Sequence, residues 1–398
     1  MTVWIQNQFD NLPMEGYRKQ RFWLMAEAFA AAGHRVVYWT SDFSHAKKSL
    51  RIQVSDSEFR GEGLWDAGIA LRLVKTRPYG RNVGWKRVRS HRAYAEEWKR
   101  KAVAQVAAGL AERPDVIISS IPSISAAESG LALARQFGAK FALDVMDAWP
   151  ETFERLAPRG LRWFARWLLT PLRRRARRLY READLVTGVC ERYRELTERD
   201  DYHLAYHGIG ECGAGGRGRD AEGRVRLAYV GNLGKSYDLG TVVEAVKANE
   251  DFELDVAGFG AQEEMLKAES KNCSRIRFHG LLGREKLGAL LAACDVGVIP
   301  MRPDSWVGLP YKICDYLVAG LRIVSSLGGE SERLLEEYRC GVGYAPEDAR
   351  SLAGAVRQAV KLPVDGGRRL VNEKLAAEVV YTAYRERVEK LRAGEEGK

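Results

Sequence analysis

Residues 296–326 read VGVIPMRPDSWVGLPYKICDYLVAGLRIVSS and contain one complete structural repeat. An apolar run of strand type, residues 296–301, leads into a Gly-Leu-Pro turn and then into a short helical stretch. Pro310 suits the first position of that helix, and Gly320 suits the residue just past its end. A second apolar run, residues 322–326, completes a strand–helix–strand unit, which is the building block of a parallel α/β sheet.

The same alternation extends over the whole chain. At 398 residues the chain is too long for one ordinary core, so two domains are expected. Both halves repeat the strand–helix rhythm, which predicts two Rossmann-like, doubly wound parallel sheets that face each other across a cleft. Strands are predicted at 2–9, 35–41, 69–76, 115–122, 140–147, 183–190, 226–232, 252–260 and 275–280, and helices at 15–34, 96–113 and 123–139.

Composition shifts suggest where the domains begin and end. Residues 211–224 are rich in glycine and polar, which is typical of a linker. We therefore expect an N-terminal domain over 1–210 and a C-terminal domain over 225–375. No strand follows the last helical segment, residues 376–398, so we expect that helix to cross back to the N-terminal domain.

The overall composition is that of a globular protein, with 46% hydrophobic and 29% charged residues. No run of about 18 uncharged apolar residues predicts a membrane-spanning helix, and the first residues do not resemble a signal peptide. We therefore expect a cytoplasmic protein. Its six cysteines and six histidines are dispersed, so neither disulfides nor a bound metal is expected.

The net charge of +10 is concentrated in one half of the chain. Residues 1–210 hold 35 Lys and Arg against 24 Asp and Glu, a balance of +11, and the remaining 28 and 29 give −1. Two stretches, 75–101 and 155–181, carry ten basic residues each with interleaved tryptophan, and the second has no acidic residue. Such a segment favours contact with an anionic membrane surface on the inner face of the cell membrane. A nucleic-acid patch and a solvated helix face are the alternatives. The membrane candidates are Arg162, Trp163, Arg166, Trp167, Arg173, Arg174 and Arg175.

The helix after residue 310 starts at the carboxyl edge of the second predicted sheet. Its free amides form an anion site, and Lys312 adds a positive charge there. Asp315, about one turn on, is placed to accept a hydrogen bond from a sugar hydroxyl, so a nucleotide diphosphate fits this geometry. The alternative is a local Lys312–Asp315 pair on a core helix. Gly231 and Lys235 in the loop after strand 226–232 offer a second phosphate contact, although a plain turn explains them equally well.

Asp147 ends a predicted strand of the first domain and should face the cleft together with Glu151. Asp144 lies within the same strand, where a structural role is expected. The alternative for Asp147 is a helix cap.

These motifs together resemble the GT-B glycosyltransferases of family 4, particularly bacterial enzymes that build surface polysaccharides. The resemblance spans nearly the whole chain and is most specific in its second half. It rests on the Gly16 loop, AAAGHRVVYWTS (30–41), DVMDAWPE (144–151), YVGNLGKSYDLGTVVEAV (229–246), GLPYKICDYLVAGLRIVSS (308–326) and GGESERLL (328–335).

The resemblance implies a hexosyltransferase that takes its sugar from a nucleotide-diphosphate donor, retains the anomeric configuration and needs no metal. The implied acceptor is a polyprenyl-diphosphate-linked glycan, used to build cell-surface polysaccharide. Lys312 and Asp147 are the implied catalytic residues, and Asp315 matches the ribose-binding carboxylate of the family. Further implied donor contacts are Gly16, Gly231, Asn232, Lys235, Leu281, Leu282, Gly308, Leu309, Pro310 and Glu332, with Leu281 and Leu282 at the nucleobase.

Four positions depart from the family pattern, among them Met146, which precedes Asp147 where a histidine or arginine is common. Val307 stands where the family has a glutamate, and Asn232 and Tyr237 stand where it has arginine and lysine. Two other functions share parts of the evidence. A nucleotide-sugar 2-epimerase has the same two-domain plan, and a non-catalytic basic binding protein would account for the charge.

Overall fold

The protein is described by a computed structural model over residues 1–51, 68–80, 84–210, 223–303, 305 and 307–394. Within it the chain divides into two compact units. Unit 1 comprises Met1–Gly208 and Ala377–Lys398, and unit 2 comprises Ile209–Ala376. Most of the expected linker, residues 211–222, lies outside the described residues. In the described part of the chain, no helix is both long enough and apolar enough to cross a membrane.

Unit 1 is built on a seven-stranded sheet in which every pairing is parallel. The order along the sheet is β5-β2-β1-β6-β7-β8-β9, and a short antiparallel pair, β3 and β4, stands apart from it. The strands are β1 (Thr2–Gln6), β2 (Arg35–Ser41), β3 (Phe43–Ser44), β4 (Ser49–Leu50), β5 (Ile69–Val74), β6 (Val116–Ile121), β7 (Lys140–Val145), β8 (Leu185–Gly188) and β9 (His203–Leu204).

Helices cover both faces of this sheet. They are α1 (Arg21–Ala31), α2 (Trp85–Ala107), α3 (Ile124–Phe137), α4 (Arg162–Glu182), α5 (Arg192–Thr197) and the C-terminal α13 (Ala377–Ala393), with 3-10 turns at Pro13–Glu15, Glu151–Leu156 and Arg159–Leu161. The buried residues of α13 join those of α1, β1 and β2 in one apolar core. That core explains why the last helix belongs to unit 1.

Two helices begin well away from the predicted residue, and α2 also ends at Ala107, six residues before the predicted 113. The helix expected over 15–34 begins at Arg21, because Gly16 adopts a left-handed φ of 83° and closes a separate turn. The chain then positions Arg21 so that its guanidinium reaches Asp144 of β7 in a fully buried ion pair. The second helix begins at Trp85, eleven residues before the expected 96, and its buried residues recur every three to four positions along the added turns.

Unit 2 repeats the design with a six-stranded parallel sheet, in the order β12-β11-β10-β13-β14-β15. The strands are β10 (Val225–Val230), β11 (Phe252–Ala257), β12 (Ile276–Gly280), β13 (Val296–Ile299), β14 (Arg322–Ser325) and β15 (Gly341–Gly343). The helices are α6 (Leu239–Ala248), α7 (Glu263–Glu269), α8 (Arg284–Ala292), α9 (Tyr311–Val318), α10 (Glu330–Glu337), α11 (Ala349–Ala359) and α12 (Gly366–Leu370). The prediction of two doubly wound parallel sheets is therefore confirmed.

Each sheet has one place where the direction of winding reverses. In unit 2 the chain builds β11 and β12 on one side of β10 and then returns to place β13, β14 and β15 on the other side. The same reversal separates β1 from β6 in unit 1. Loops leaving two neighbouring strands in opposite directions open a crevice at their carboxyl ends, which is where ligands of such sheets bind.

Candidate active site

The crevice of unit 2 lies between the carboxyl ends of β10 and β13, and glycines line its floor. Gly231 directly follows β10 with a φ of 124°, and its amide donates to the carbonyl of Ala257 at 2.9 Å. A β-carbon on Gly258 would lie 1.9 Å from the carbonyl oxygen of Gly231. Only glycine lets the two strand ends approach this closely, so both residues are required by the backbone itself.

Lys312 brings a positive charge to this crevice. It is the second residue of α9 and only 8% exposed, and a β-carbon on Gly231 would lie 2.8 Å from its Nζ atom. The ammonium sits 3.9 Å from the ring centroid of Tyr237 and 4.9 Å from that of Tyr229. Burial lowers the pKa of Lys312 to about 8, and the negative charge of Asp315 opposes that shift. The lysine is thus held beside the half-buried Gly231 at the strand end.

The two tyrosines are themselves fixed by hydrogen bonds. Tyr229 donates its hydroxyl to the carbonyl of Asn232 at 2.7 Å, and its ring meets that of Tyr237 with centroids 5.7 Å apart. The side-chain amide of Gln262 donates to the carbonyls of Gly234 and Tyr237 at 2.6 and 3.0 Å. Tyr237, a departure from the family pattern, therefore helps hold Lys312, and sequence reasoning missed both Tyr229 and Gln262. Their aromatic and amide side chains carry no distinguishing signal in the sequence.

Tyr316, in the second half of α9, ties this helix to both strands of the crevice. The hydroxyl of Tyr316 donates to the carbonyl of Val298 at 3.2 Å and accepts from the amide of Val230 at 3.1 Å. Pro310 has an extended ψ of 146° and is the N-cap residue, immediately before the first helical residue. It was predicted to be the first residue of the helix itself. The neighbouring carbonyl of Gly308 accepts from the Ser331 hydroxyl.

The other donor candidates of unit 2 follow the carboxyl ends of its strands. Leu281 is exposed and Leu282 half-buried after β12, and the exposed Asn232 and Lys235 follow β10. The remaining candidates are the half-buried Gly308 and the buried Leu309 before α9, the half-buried Asp315 within α9, and Glu332, which follows β14 and approaches Gly343. The structure thus brings these candidates to one edge of one sheet, whereas Gly16 lies in a loop of unit 1 between β1 and α1.

Asp147 follows β7 at the corresponding edge of unit 1. Its carboxylate accepts from the Thr152 hydroxyl at 3.2 Å, and its backbone carbonyl accepts from the amide of Trp149 at 2.8 Å. Burial raises the pKa of Asp147, although the bond from Thr152 and the charge of Arg87 act against the rise. Glu151, predicted to accompany it, accepts instead from Arg173 of α4 at 3.1 Å.

The helix α4 presents an apolar face among its arginines. Trp163 is 71% exposed and Trp167 is 67% exposed, and Leu161, Phe164 and Leu168 beside them are exposed as well. The membrane candidates among the arginines differ in their surroundings. Arg173 forms ion pairs with Glu151 and Glu154, and Arg175 forms one with Glu128. These ion pairs hold α4 to its neighbours. Arg162 is half-buried, whereas Arg166 and Arg174 are exposed, and Arg166 reaches Glu154 at 3.4 Å.

In the described residues, no group of three or more His, Cys, Asp or Glu side chains lies close enough together to hold a metal ion.

Comparison with known families matches one family model to each half of the chain. The model "Glycosyl transferase 4-like domain" matches residues 19–203. The model "Glycosyl transferases group 1" matches residues 224–361, which include the whole crevice of unit 2. The chain belongs to the GT-B glycosyltransferases of family 4.

Solved structures of other GT-B proteins share this fold. Sucrose-phosphate synthase from Thermosynechococcus elongatus matches with a TM-score of 0.71 at 15% identity, over 99% of each chain. Anabaena HepE, solved in complex with UDP-glucose, matches with a TM-score of 0.63 at 12% identity, over 98% of this chain and 100% of the other. At such low identity these likenesses establish the fold.

A curated relative supports the same family. The probable glycosyltransferase WbjE of Pseudomonas aeruginosa is 26% identical over 148 residues, which are 35% of this chain and 37% of that protein. The chain thus spans little more than a third of the length of the curated relatives it matches. The prediction of a glycosyltransferase is confirmed at the level of the family.

Proposed function

We propose that this GT-B protein transfers a sugar from a nucleotide-diphosphate donor to a lipid-linked glycan, with retention and without a metal ion. The observation that carries the donor half of this proposal is the ammonium of Lys312 beside Gly231 at the reversal point of the sheet. A charge fixed in advance next to bare backbone stabilises a diphosphate without reorganisation. The complex of HepE with UDP-glucose supports a nucleotide-sugar donor.

The reaction breaks the bond between the sugar's anomeric carbon and the diphosphate oxygen and forms one to the acceptor hydroxyl. Negative charge develops on the departing diphosphate, and Lys312 together with the amides at the start of α9 offsets it. The hydroxyl attacks from the face that the diphosphate leaves, and its proton passes to a departing phosphate oxygen. Asp147 orients the acceptor, and Asp315 accepts from the ribose.

The donor half is tested by a thermal-shift panel of UDP-, GDP-, dTDP- and ADP-sugars in the presence of a metal chelator. We expect one nucleotide family to raise the melting temperature of the wild-type protein, and Lys312→Ala to abolish that rise. A folded wild-type protein that responds to none of the four families would refute the donor site. A response that appears only after a divalent cation is added would refute metal independence.

The acceptor half rests on the apolar face of α4, which carries exposed tryptophans between arginines. Tryptophan and arginine on one helix face suit the boundary between lipid headgroups and acyl chains. We propose that this face binds an anionic membrane, where a polyprenyl-diphosphate acceptor resides. Burying two tryptophan side chains and their apolar neighbours in the lipid boundary provides several kcal/mol, on the order of 25 cal/mol per Å².

Vesicle sedimentation tests this surface with a matched pair of variants. Leu168 is 62% exposed within the apolar face, whereas Leu110 is 60% exposed beyond the far end of α2. We expect Leu168→Ser, and more strongly Trp163→Ser with Trp167→Ser, to reduce binding to vesicles that contain phosphatidylglycerol. Leu110→Ser should bind like the wild type. Equal binding by all of these variants would refute the membrane surface.

A further inference from the structure

The reversal point of the unit 1 sheet carries a cluster of aromatic and basic side chains. Phe9 follows β1, Trp149 follows β7, and Arg87 and His91 lie on the first turns of α2. The guanidinium of Arg87 is 5.5 Å from the ring centroid of Phe9 and 5.1 Å from that of Trp149. Its Nε donates to Nε2 of His91 at 3.2 Å. Three separate segments of the chain therefore meet around one cation at the edge where ligands of such sheets bind.

A second cation, Lys48, stands beside the first. Its ammonium is 3.2 Å from Nδ1 of His45 and 4.9 Å from the ring centroid of Tyr79. The hydroxyl of Tyr79 also contacts Nδ1 of His45, and Tyr79 is buried. Burial lowers the pKa of Lys48, and the positive charge of Arg87 lowers it further. The two cations therefore share one environment.

Both histidines of the cluster are neutral near pH 7. Burial and the neighbouring cations lower the pKa of His45 to about 4 and that of His91 to about 3. Burial lowers the pKa of Arg87, and the phenol of Tyr79 and the carboxylate of Asp147 oppose that shift. Arg87 and Lys48 thus lie together among aromatic rings and neutral histidines, an arrangement suited to an anionic group.

The cluster lies next to the surfaces that we propose to face the membrane. Trp85, two residues before Arg87, is 83% exposed. Helices α2 and α4 both pack against α3, and both begin at the carboxyl edge of the sheet. A lipid held at the exposed tryptophans of these helix starts would therefore have its polar end close to the cations.

We propose that Arg87 and Lys48 bind a phosphate group of the lipid-linked acceptor, with Phe9 and Trp149 against its first apolar or sugar unit. A phosphate oxygen pair matches the fork of a guanidinium, and a lysine adds a point charge. This inference rests on the proposed function, because it assigns that reaction's acceptor to particular side chains. A free phosphate has the same chemistry, so the test must separate the two sources.

Isothermal titration of the full chain with farnesyl diphosphate, farnesol and inorganic pyrophosphate separates them. We expect the wild type to bind farnesyl diphosphate at least tenfold more tightly than either of the others. Arg87→Gln and Lys48→Met should each weaken that binding about tenfold or more. Arg92→Gln removes a charge from the exposed side of the same helix and should stay within about twofold of the wild type.

Two results would overturn the proposal. One is farnesyl diphosphate affinity that is unchanged in both cluster variants, each with a wild-type melting temperature. The other is pyrophosphate binding as tight as farnesyl diphosphate binding, which would mark a free-phosphate site. Nucleotide-sugar binding is measured on the same samples. A wild-type protein that binds no nucleotide sugar would refute the proposed function. A wild-type protein that binds a nucleotide sugar but not farnesyl diphosphate would refute this inference alone.

Discussion

Replacing Lys312 by methionine should stabilise the protein while it weakens donor binding. Burial moves the pKa of Lys312 from 10.5 to about 8, and each pKa unit corresponds to about 1.4 kcal/mol. Holding the charge in place therefore costs about 3 kcal/mol near pH 7. Its contacts with the rings of Tyr229 and Tyr237 return about 1 to 2 kcal/mol. The net gain for Lys312→Met is about 1 to 2 kcal/mol.

Donor binding should change in the opposite direction. A hydrogen bond between a charged donor and a phosphate contributes about 1.5 to 3 kcal/mol, so its loss weakens nucleotide-sugar binding about ten- to a hundredfold. Urea unfolding and titration calorimetry measure the two effects separately. Lys271→Met, at an exposed position after α7, is the control and should change neither quantity. A less stable Lys312→Met with wild-type donor affinity would refute the reasoning.

The pH dependence of the same site gives an independent check. Because the pKa of Lys312 is lower in the folded state, that state loses its proton first as the pH rises. The wild type should therefore gain stability relative to Lys312→Met between about pH 8 and pH 10. Donor affinity should fall over the same interval as the ammonium is lost. Lys312→Arg, whose charge persists, should keep a flat affinity, and a parallel decline in that variant would contradict the assignment.

Two further predictions follow from the two sheets. Gly258→Ala should lower the melting temperature and abolish nucleotide binding, because its β-carbon would lie 1.9 Å from the carbonyl oxygen of Gly231. Gly283→Ala is the control, because its β-carbon would meet nothing within 4 Å. Equal melting temperatures for the two variants would contradict the close approach of Gly258 to Gly231. In unit 1, burial raises the pKa of Asp10 to about 7, so the folded state keeps this proton to a higher pH than the unfolded state does. The free energy of unfolding of the wild type should therefore fall by up to about 4 kcal/mol as the pH rises from 4 to 7. Urea unfolding at pH 5 and pH 8 measures this loss, which Asp10→Asn should not show. A difference in unfolding free energy between the wild type and Asp10→Asn that is the same at both pH values would contradict the prediction.

Much of the fold could be predicted from local patterns. Apolar runs of strand length, separated by helical stretches and glycine turns, predicted the strands of both sheets except the shortest. The strand β15, Gly341–Gly343, was missed because three residues with two glycines carry no alternation. The start of α2 was missed because its added turns bury only one side among many basic residues, which gives a weak apolar stripe.

The candidate site could be predicted only in part. The Gly-Leu-Pro turn and Lys312 were found because a helix start after a strand is an anion site in any parallel sheet. The partners of Lys312 could not be found, since Tyr229 and Tyr237 lie far from it in sequence. Arg87 was equally hidden, because a basic residue on a basic helix looks the same whether it faces solvent or Trp149.

The sequence by itself determined the repeating α/β units, the glycines at the strand ends and the basic character of the first half. These properties follow from neighbouring residues, whose backbone preferences and apolar spacing act over one or two turns. Only the tertiary structure decided which side chains meet, because the strand order places β13 beside β10 although two other strands intervene in the chain. That order puts the ammonium of Lys312 against Gly231, and the environment there, not the lysine alone, lowers its pKa.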